Sequence, residues 1–271
     1  MEGLITHNPY LKIEKPNREN PEVDYLRTHE IPIFLKACEV SKELKEKVST
    51  MLRPGEEKKK ERPKCDTTRH AFFHTAIFTG MRRGELLGLK WEDIDWLNRK
   101  VHVKRSLYKT TFQTPKSKHS KRAIDIGPRL IDVLKNHRAK QNETRLKVGE
   151  GWSNNDLVFC QNDGTPLDAD NLYHRDLKAV LKKAELRAIR IHDLRHTFAS
   201  ILISAGHNPK YIMNQMGHSS IKTTLDLYAH LMPEVHEGAA KKSEDFVFSG
   251  LNGNVMVTEQ QKGATACAVT P

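Results

Sequence analysis

Three glycines, Gly80, Gly206 and Gly217, each close a run of residues spaced for a helix, and a helix commonly stops on a glycine that adopts a left-handed conformation. Between Thr67 and Thr79, Phe72, Ala76 and Thr79 share one face, flanked by Phe73 and Ile77, which predicts a buried helix ending at Gly80. A second helix is expected from Met81 or Arg82, with Leu86 and Leu89 inward. Leu194, Phe198, Ile201 and Ala205 keep helical spacing up to Gly206, and Asn208-Pro209 opens a short helix that Gly217 ends. A further helix is expected from about Ser220 to Met232, and Pro233 begins a last one carrying Val235 and Ala239.

The pattern changes between residues 94 and 126. Val101 and Val103 alternate with polar residues, and Ala123, Ile124 and Ile126 do so less cleanly, as in a small antiparallel sheet with a long turn around Pro115 to Ser120. Pro128 then opens a helix with Leu130, Ile131 and Leu134. L-V-F-C at 157–160 reads as a short strand, and Asp168 or Asp170 caps a helix holding Leu177, Val180, Leu181 and Ala184. The fold class is therefore mainly α with a small antiparallel β-sheet (α+β). Residues 1–24, rich in Pro, Asn and charge, read as a linker or arm. Residues 25–248 read as one domain, with a helical stretch at 25–52 and a charged loop at 53–64. Residues 249–271 read as a disordered tail.

Lys and Arg number 45 against 34 Asp and Glu, a net charge of +11. That surplus points to a polyanion, nucleic acid or an anionic membrane surface, although a basic protein without such a partner has the same totals. The basic residues are unevenly placed: between Trp96 and Ile124 there are nine and no Asp or Glu, as suits a nucleic-acid backbone. Lys104, Arg105, Lys118, Lys121 and Arg122 are the DNA-binding candidates. Lys116 lies near the turn, where it can reach one phosphate, with Lys118 and Lys121 as competitors. The four cysteines, Cys38, Cys65, Cys160 and Cys267, form no C-x-x-C pair, which argues against a zinc knuckle or a disulfide scaffold. No apolar run approaches membrane-spanning length and the first residues lack a signal-peptide core, so a soluble cytoplasmic protein is expected.

The densest polar chemistry is HDLRHTFAS at 192–200. At a helix N-terminus, His192 and Arg195 share a face with the free backbone N–H groups, and together they suit an anion. Asp193 partly offsets the charge. The same nonapeptide also reads as a capped helix whose His and Arg face water. His192 and His196 have the spacing of a zinc-binding pair, but Arg195 would set a guanidinium beside the cation. In TGMRRGELLGL, residues 79–89, Arg82 again stands at a helix start, with Glu85 placed to hold it. His218 follows the Gly217 stop, and Tyr228 comes ten residues later. By spacing alone Tyr228 is a core aromatic, in step with Ile221 and Leu225.

Together, TGMRRGELLGLKWEDID, HDLRHTFAS and MGHSSIKTTLDLYAHL resemble the three signature blocks of the tyrosine recombinase (phage integrase) family, in the right order. TPKSKHSKRAIDI resembles that family's lysine-bearing turn. The resemblance implies that Arg82 and Arg195 grip a scissile phosphate and that His192 has an acid–base role. Lys116 would protonate the departing 5′ oxygen, His218 would hydrogen-bond the phosphate, Tyr228 would be the nucleophile, and Glu85 would support Arg82. It implies a site-specific recombinase that cuts and rejoins double-stranded DNA through a phosphotyrosyl bond, which preserves the phosphoester energy and needs no metal, ATP or other cofactor. A homo-tetramer on paired DNA sites is implied, with a monomer or weak oligomer without DNA. A type IB topoisomerase-like nicking and closing enzyme and a non-catalytic DNA-binding remnant are the rivals. Family members normally carry a helical core-binding domain ahead of the catalytic one. Only about two dozen residues precede the match here, so weak, poorly specific DNA binding is expected.

Overall fold

A computed structural model describes residues 24–39, 67–109, 111–114 and 121–231, the side chains of 228, 230 and 231 excepted, together with five positions between 241 and 248. The chain divides after Leu231 into two units, Met1–Leu231 and Met232–Pro271. The expected loop at 53–64, the turn at 115–120 with Lys116 and Lys118, and the start of the helix expected after Pro233 lie outside the described residues.

The first helix, α1 (Glu30–Cys38), is followed by α2 (Thr68–Thr79). The latter is buried on nearly every side: Ala71, Phe72, Phe73, Ala76 and Ile77 are all inside. Thr75 and Thr79 fit there because they return their hydroxyls to the carbonyls of Ala71 and Thr75, which satisfies both groups away from water. Gly80 ends it at φ 56°, the left-handed stop expected from the sequence. A short α3 (Arg83–Leu87) follows, one residue later than expected, with Arg82 as its N-cap.

The β region is two small sheets. Strands β1 (Ile94–Asp95), β2 (Lys100–Val103) and β5 (Arg122–Asp125) form an antiparallel sheet in the order β1-β2-β5. Val101 pairs with Ile124, and both are buried. A separate hairpin, β3 (Ser106–Tyr108) with β4 (Thr111–Gln113), lies against α3. The approach is close: a Cβ on Gly84 would come within 2.4 Å of the Ser106 hydroxyl.

Helix α4 (Pro128–Val148) is opened by Pro128 and buries Leu130, Ile131 and Leu134 as expected. The segment 157–160 is not a strand; it makes only isolated bridges, Lys90 with Leu157 and Cys160 with Pro166. Side chains of α4 take its carbonyls instead. Gln141 Nε2 donates to Leu157 and Val158, and His137 Nε2 donates to Val158. The opposite His137 nitrogen, Nδ1, accepts from the Thr67 hydroxyl, since a ring with one N–H can donate only once. The next helix, α5, runs through Ala169–Asn171, a π-helical Leu172–Leu177 and Lys178–Lys183. Asp168 caps it by accepting from the amides of Asp170 and Asn171.

The last third holds α6 (Asp193–Ser204), α7 (Pro209–Met216) and α8 (Ile221–Leu231). A large apolar cluster joins α1, α2, α4, the three-stranded sheet and the start of α6. A smaller one, Phe198, Ala199, Leu202, Ile203, Ile212, Met216 and Leu227, packs α6, α7 and α8 together. Here the expected faces shift. In α6, Leu202 and Ile203 are buried, and Ala205, the residue that caps its end, is exposed. In α8, Thr224 and Leu227 are the buried residues, whereas Ile221 and Leu225 are 40% and 48% exposed. Among the described residues no helix is long and apolar enough to cross a membrane.

Candidate active site

The site gathers at the C-terminal end of α7. Gly217 stands there at φ 65° and lets the chain reverse, with the His218 amide donating back to the Met213 carbonyl over 3.1 Å. That bond is the long one of a Schellman stop, and it fixes His218 at the end of the helix. The last carbonyls of a helix have no partner within it and carry the negative end of its dipole.

Three arginines distant in sequence take three consecutive carbonyls of this turn. Arg122 Nε donates to Gln215, Arg195 Nη2 to Met216 and Arg82 Nη2 to Gly217. Arg195 is the most enclosed, 4% exposed, and its other terminal nitrogen donates to the Gly80 carbonyl, the stop of α2. Burial, with Arg82 and Arg122 close by, lowers its pKa to about 9, so it remains charged at neutral pH.

Among the described residues, Glu85 is the carboxylate that these arginines share. Its Oε1 accepts from Arg82 Nη1 (3.0 Å) and Arg122 Nη1 (3.2 Å), and its Oε2 accepts from the Arg82 amide (2.9 Å) and Arg122 Nη2 (3.0 Å). Each oxygen thus takes one bond from each arginine. Burial alone raises the Glu85 pKa, but the Arg122 hydrogen bonds and charge, helped by Arg82, outweigh it and hold the carboxyl below its ordinary value. The sequence placed Glu85 beside Arg82 correctly. It carried no signal for Arg122 as the second partner.

His192 is the N-cap of α6, and its ring is partly desolvated by its neighbours although the residue keeps one side open to solvent. The first amides of α6 are not free for an anion: Asp193, Leu194 and Arg195 donate to the carbonyls of Arg190, Ile191 and His192. The positive potential comes from side chains, not from unpaired amides. Asp193 turns away to bind the Arg190 amide and guanidinium, at 2.7 and 2.9 Å. His218 Nδ1 pairs with the Thr224 hydroxyl at 2.9 Å. This ties the Gly217 turn to α8, one helical turn before position 228, which lies within that helix.

Both histidines are biased to the neutral form. Burial lowers the His192 pKa, and Arg195, Arg190 and Arg82 add to it against Asp193. Burial, then Arg195, Arg82, Arg122 and His196, bring His218 to about 4. His192 and His196 meet edge to face, with centroids 5.0 Å apart. Among the described residues no three His, Cys, Asp or Glu side chains gather to hold a metal ion.

The DNA-binding candidates separate. Lys121 is exposed. Lys104 Nζ lies 3.2 Å from Asp93, and Arg105 pairs with Asp93 and Glu92, which anchors the β2–β3 link to the turn at Trp91–Asp93. Arg122 is inside, its side chain 6% exposed. Gln215, Thr224 and the carbonyls of Gly80 and Met216 are participants that the sequence did not mark.

Residues 25–234 match the phage integrase family. A "tyrosine recombinase XerC-like" protein of Caldanaerobacter subterraneus subsp. tengcongensis is 36% identical over 191 residues, covering 65% of this chain and 49% of that protein. The ICEBs1 integrase of Bacillus subtilis is 34% identical over 180 residues, 65% of this chain and 48% of its own length. The chain thus spans about half the length of the curated relatives it matches. Among solved structures, a Tn1549 transposon integrase in complex with transposon right end DNA superposes with a TM-score of 0.62 at 21% identity, over 90% of this chain and 73% of that one. XerA recombinase gives 0.54 at 19%, over 88% and 68%. At such identities the likeness is one of fold.

Proposed function

Since the chain belongs to the phage integrase family, we propose that it is the catalytic part of a site-specific DNA recombinase, with residues 25–248 as its catalytic domain. One observation carries the reading: Arg82, Arg195 and His218 meet at the end of α7 with His192 in their field, and His218 is tied to α8 four residues before Tyr228.

A phosphodiester gains negative charge as it is attacked. Arg195 uses one N–H of each terminal nitrogen on the carbonyls of Gly80 and Met216. Each of those nitrogens carries a second N–H, and these, with the Arg82 guanidinium, are the donors for the non-bridging oxygens. Fixed donors of this kind are worth about 3 kcal/mol each in the transition state. Because their anchors hold them before DNA arrives, little reorganisation is spent at the moment of reaction. The Tyr228 hydroxyl must lose its proton as it attacks phosphorus. His192, kept neutral by burial and the arginines, is a base able to take it. The bond from phosphorus to the 5′ oxygen breaks, Lys116 returns a proton to that oxygen, and a 3′-phosphotyrosyl link remains. His218 donates its free edge to the phosphate, since Thr224 occupies Nδ1. Lys104, Lys118 and Lys121 track the backbone of the duplex, and a tetramer on two paired sites performs the exchange.

The test is trapping. Incubated with a pool of nicked duplexes of randomised sequence, the chain should form a covalent DNA adduct that survives denaturation and is abolished by Tyr228→Phe. No adduct, or one that persists in Tyr228→Phe, overturns the reading.

A further inference from the structure

We propose that Arg122 is a positioning residue for this chemistry: from β5 it clamps Glu85 and the last turn of α7 together, and thereby sets Arg82 and His218 relative to one another. The proposal rests on the recombinase reading above. The sequence assigned Arg122 to the DNA surface as one of a basic run, but its surroundings are those of a strut.

Its guanidinium works on three sides. Nη1 and Nη2 lie against Glu85 Oε1 and Oε2 at 3.2 and 3.0 Å, and Nε donates to the Gln215 carbonyl over 2.8 Å. Its stem packs on the backbone of Gly217, where an added Cβ would fall 2.9 Å from both Cδ and Nη1. The glycine that turns the chain toward His218 is thus also the surface on which Arg122 rests. Both members of the Arg122–Glu85 pair are about 5% exposed on their side chains, and a carboxylate so enclosed needs its hydrogen bonds met.

Two chains of contact leave Arg122. One passes through Glu85 to the amide and guanidinium of Arg82. The other passes through Gln215 to the Gly217 turn and His218. The second has a brace: Gln215 Oε1 accepts from the Asp125 amide over 3.0 Å, and its Nε2 reaches the Asp125 carboxylate at 3.1 Å. So β5 and α7 are joined at two points, and Arg122 alone of these contacts extends to α3. A lysine offers a point charge rather than a planar fork and cannot hold both partners. Without the fork, Glu85 keeps a single cationic neighbour, and Arg82 and His218 lose their common reference.

The test compares Arg122→Met, Arg122→Lys, Glu85→Gln and the double variant Arg122→Met with Glu85→Gln, all in the full chain. Three readouts are taken: single-turnover adduct formation on the randomised nicked pool, duplex affinity across a salt series, and the NMR titration of His218. The expected result is an adduct rate lower by about 10²-fold in Arg122→Met, as a misplacement near 1 Å costs, with duplex affinity and its salt slope unchanged. Arg122→Lys should fall as far. The double variant should be no slower than Arg122→Met, because the two residues act through one another, and it removes the unpaired buried charge that would endanger folding. His218, which faces Arg195, Arg82, Arg122 and His196, should titrate at a higher pH in Arg122→Met. An unchanged adduct rate in a folded Arg122 variant overturns the proposal. So does a loss of affinity with a shallower salt slope, which would make Arg122 a DNA contact. If the unaltered chain forms no adduct, the recombinase reading falls by itself, and an unmoved His218 titration then overturns the positioning claim.

Discussion

Arg82 and Arg195 donate to neighbouring peptides, the carbonyls of Gly217 and Met216, although 113 positions separate them in the chain. Two like charges are held together because a helix C-terminus, with Glu85 beside it, offers a concentration of negative dipole where they meet. The expected consequences concern the elements that maintain this meeting.

Gly80 and Gly217 should each resist substitution. A Cβ at Gly80 would lie 2.3 Å from the ring of Phe198, and one at Gly217 would meet Arg122, both at positive φ. Gly217→Ala should cost about 1–2 kcal/mol in chemical denaturation and slow adduct formation. Gly80→Ala, facing a buried ring, should cost about 2–4 kcal/mol. A neutral effect at Gly80 would mean that Phe198 can vacate its place.

Arg105 and Lys121 should differ in kind. Arg105→Ala removes a partner of Asp93, a side chain only 1% exposed, and should cost about 2 kcal/mol of stability. Lys121→Ala should leave the melting temperature alone and reduce the salt dependence of duplex binding by about one phosphate contact. Melting curves and a salt titration of affinity separate the two.

Thr224→Val removes the hydroxyl that holds His218 Nδ1. Stability should drop by about 1 kcal/mol. Adduct formation should slow by about tenfold or more, because His218 loses its orientation while DNA affinity is retained. Equal losses in rate and affinity would argue that Thr224 only packs α8.

Stability should fall with acidity in a window that the histidines define. Burial brings His74, His137, His196 and His218 to about 4, from an ordinary value of 6.5. The unfolded chain takes up protons below pH 6.5 that the folded one refuses until near 4, so stability is full above 6.5 and is lost as the pH drops toward 4. His137, fully enclosed between Thr67 and Val158, can account for roughly 3 kcal/mol of that loss. Thermal melts at pH 7.5 and 5 should show the fall, and His137→Gln should flatten it. The chemistry should weaken at some pH below 6.5, as His192, whose pKa is lowered from that value, gains a proton and ceases to be a base.

Much of the fold was legible because its signals are local. Gly80 and Gly217 stop their helices at positive φ, Pro128 and Pro209 open theirs, and Val101 and Ile124 alternate as sheet residues. Signals that depend on what lies across the gap misled. L-V-F-C has the composition of a strand, yet Gln141 and His137 claim its carbonyls from α4. Ile221 and Leu225 have helical spacing, yet α8 packs by Thr224 and Leu227. Arg122 stands in a basic run and is nonetheless enclosed by Glu85 and the α7 turn.

By itself the sequence determined where helices begin and end and which side chains can carry charge or accept a proton, because caps, left-handed stops and residue chemistry act within a few positions of backbone. The tertiary structure decided which of the basic residues converge. Arg82, Arg122 and Arg195 become one group only when α3, β5 and α6 bring them to the carbonyls of 215–217, and electrostatic energy depends on separation in space, which no distance along the chain encodes.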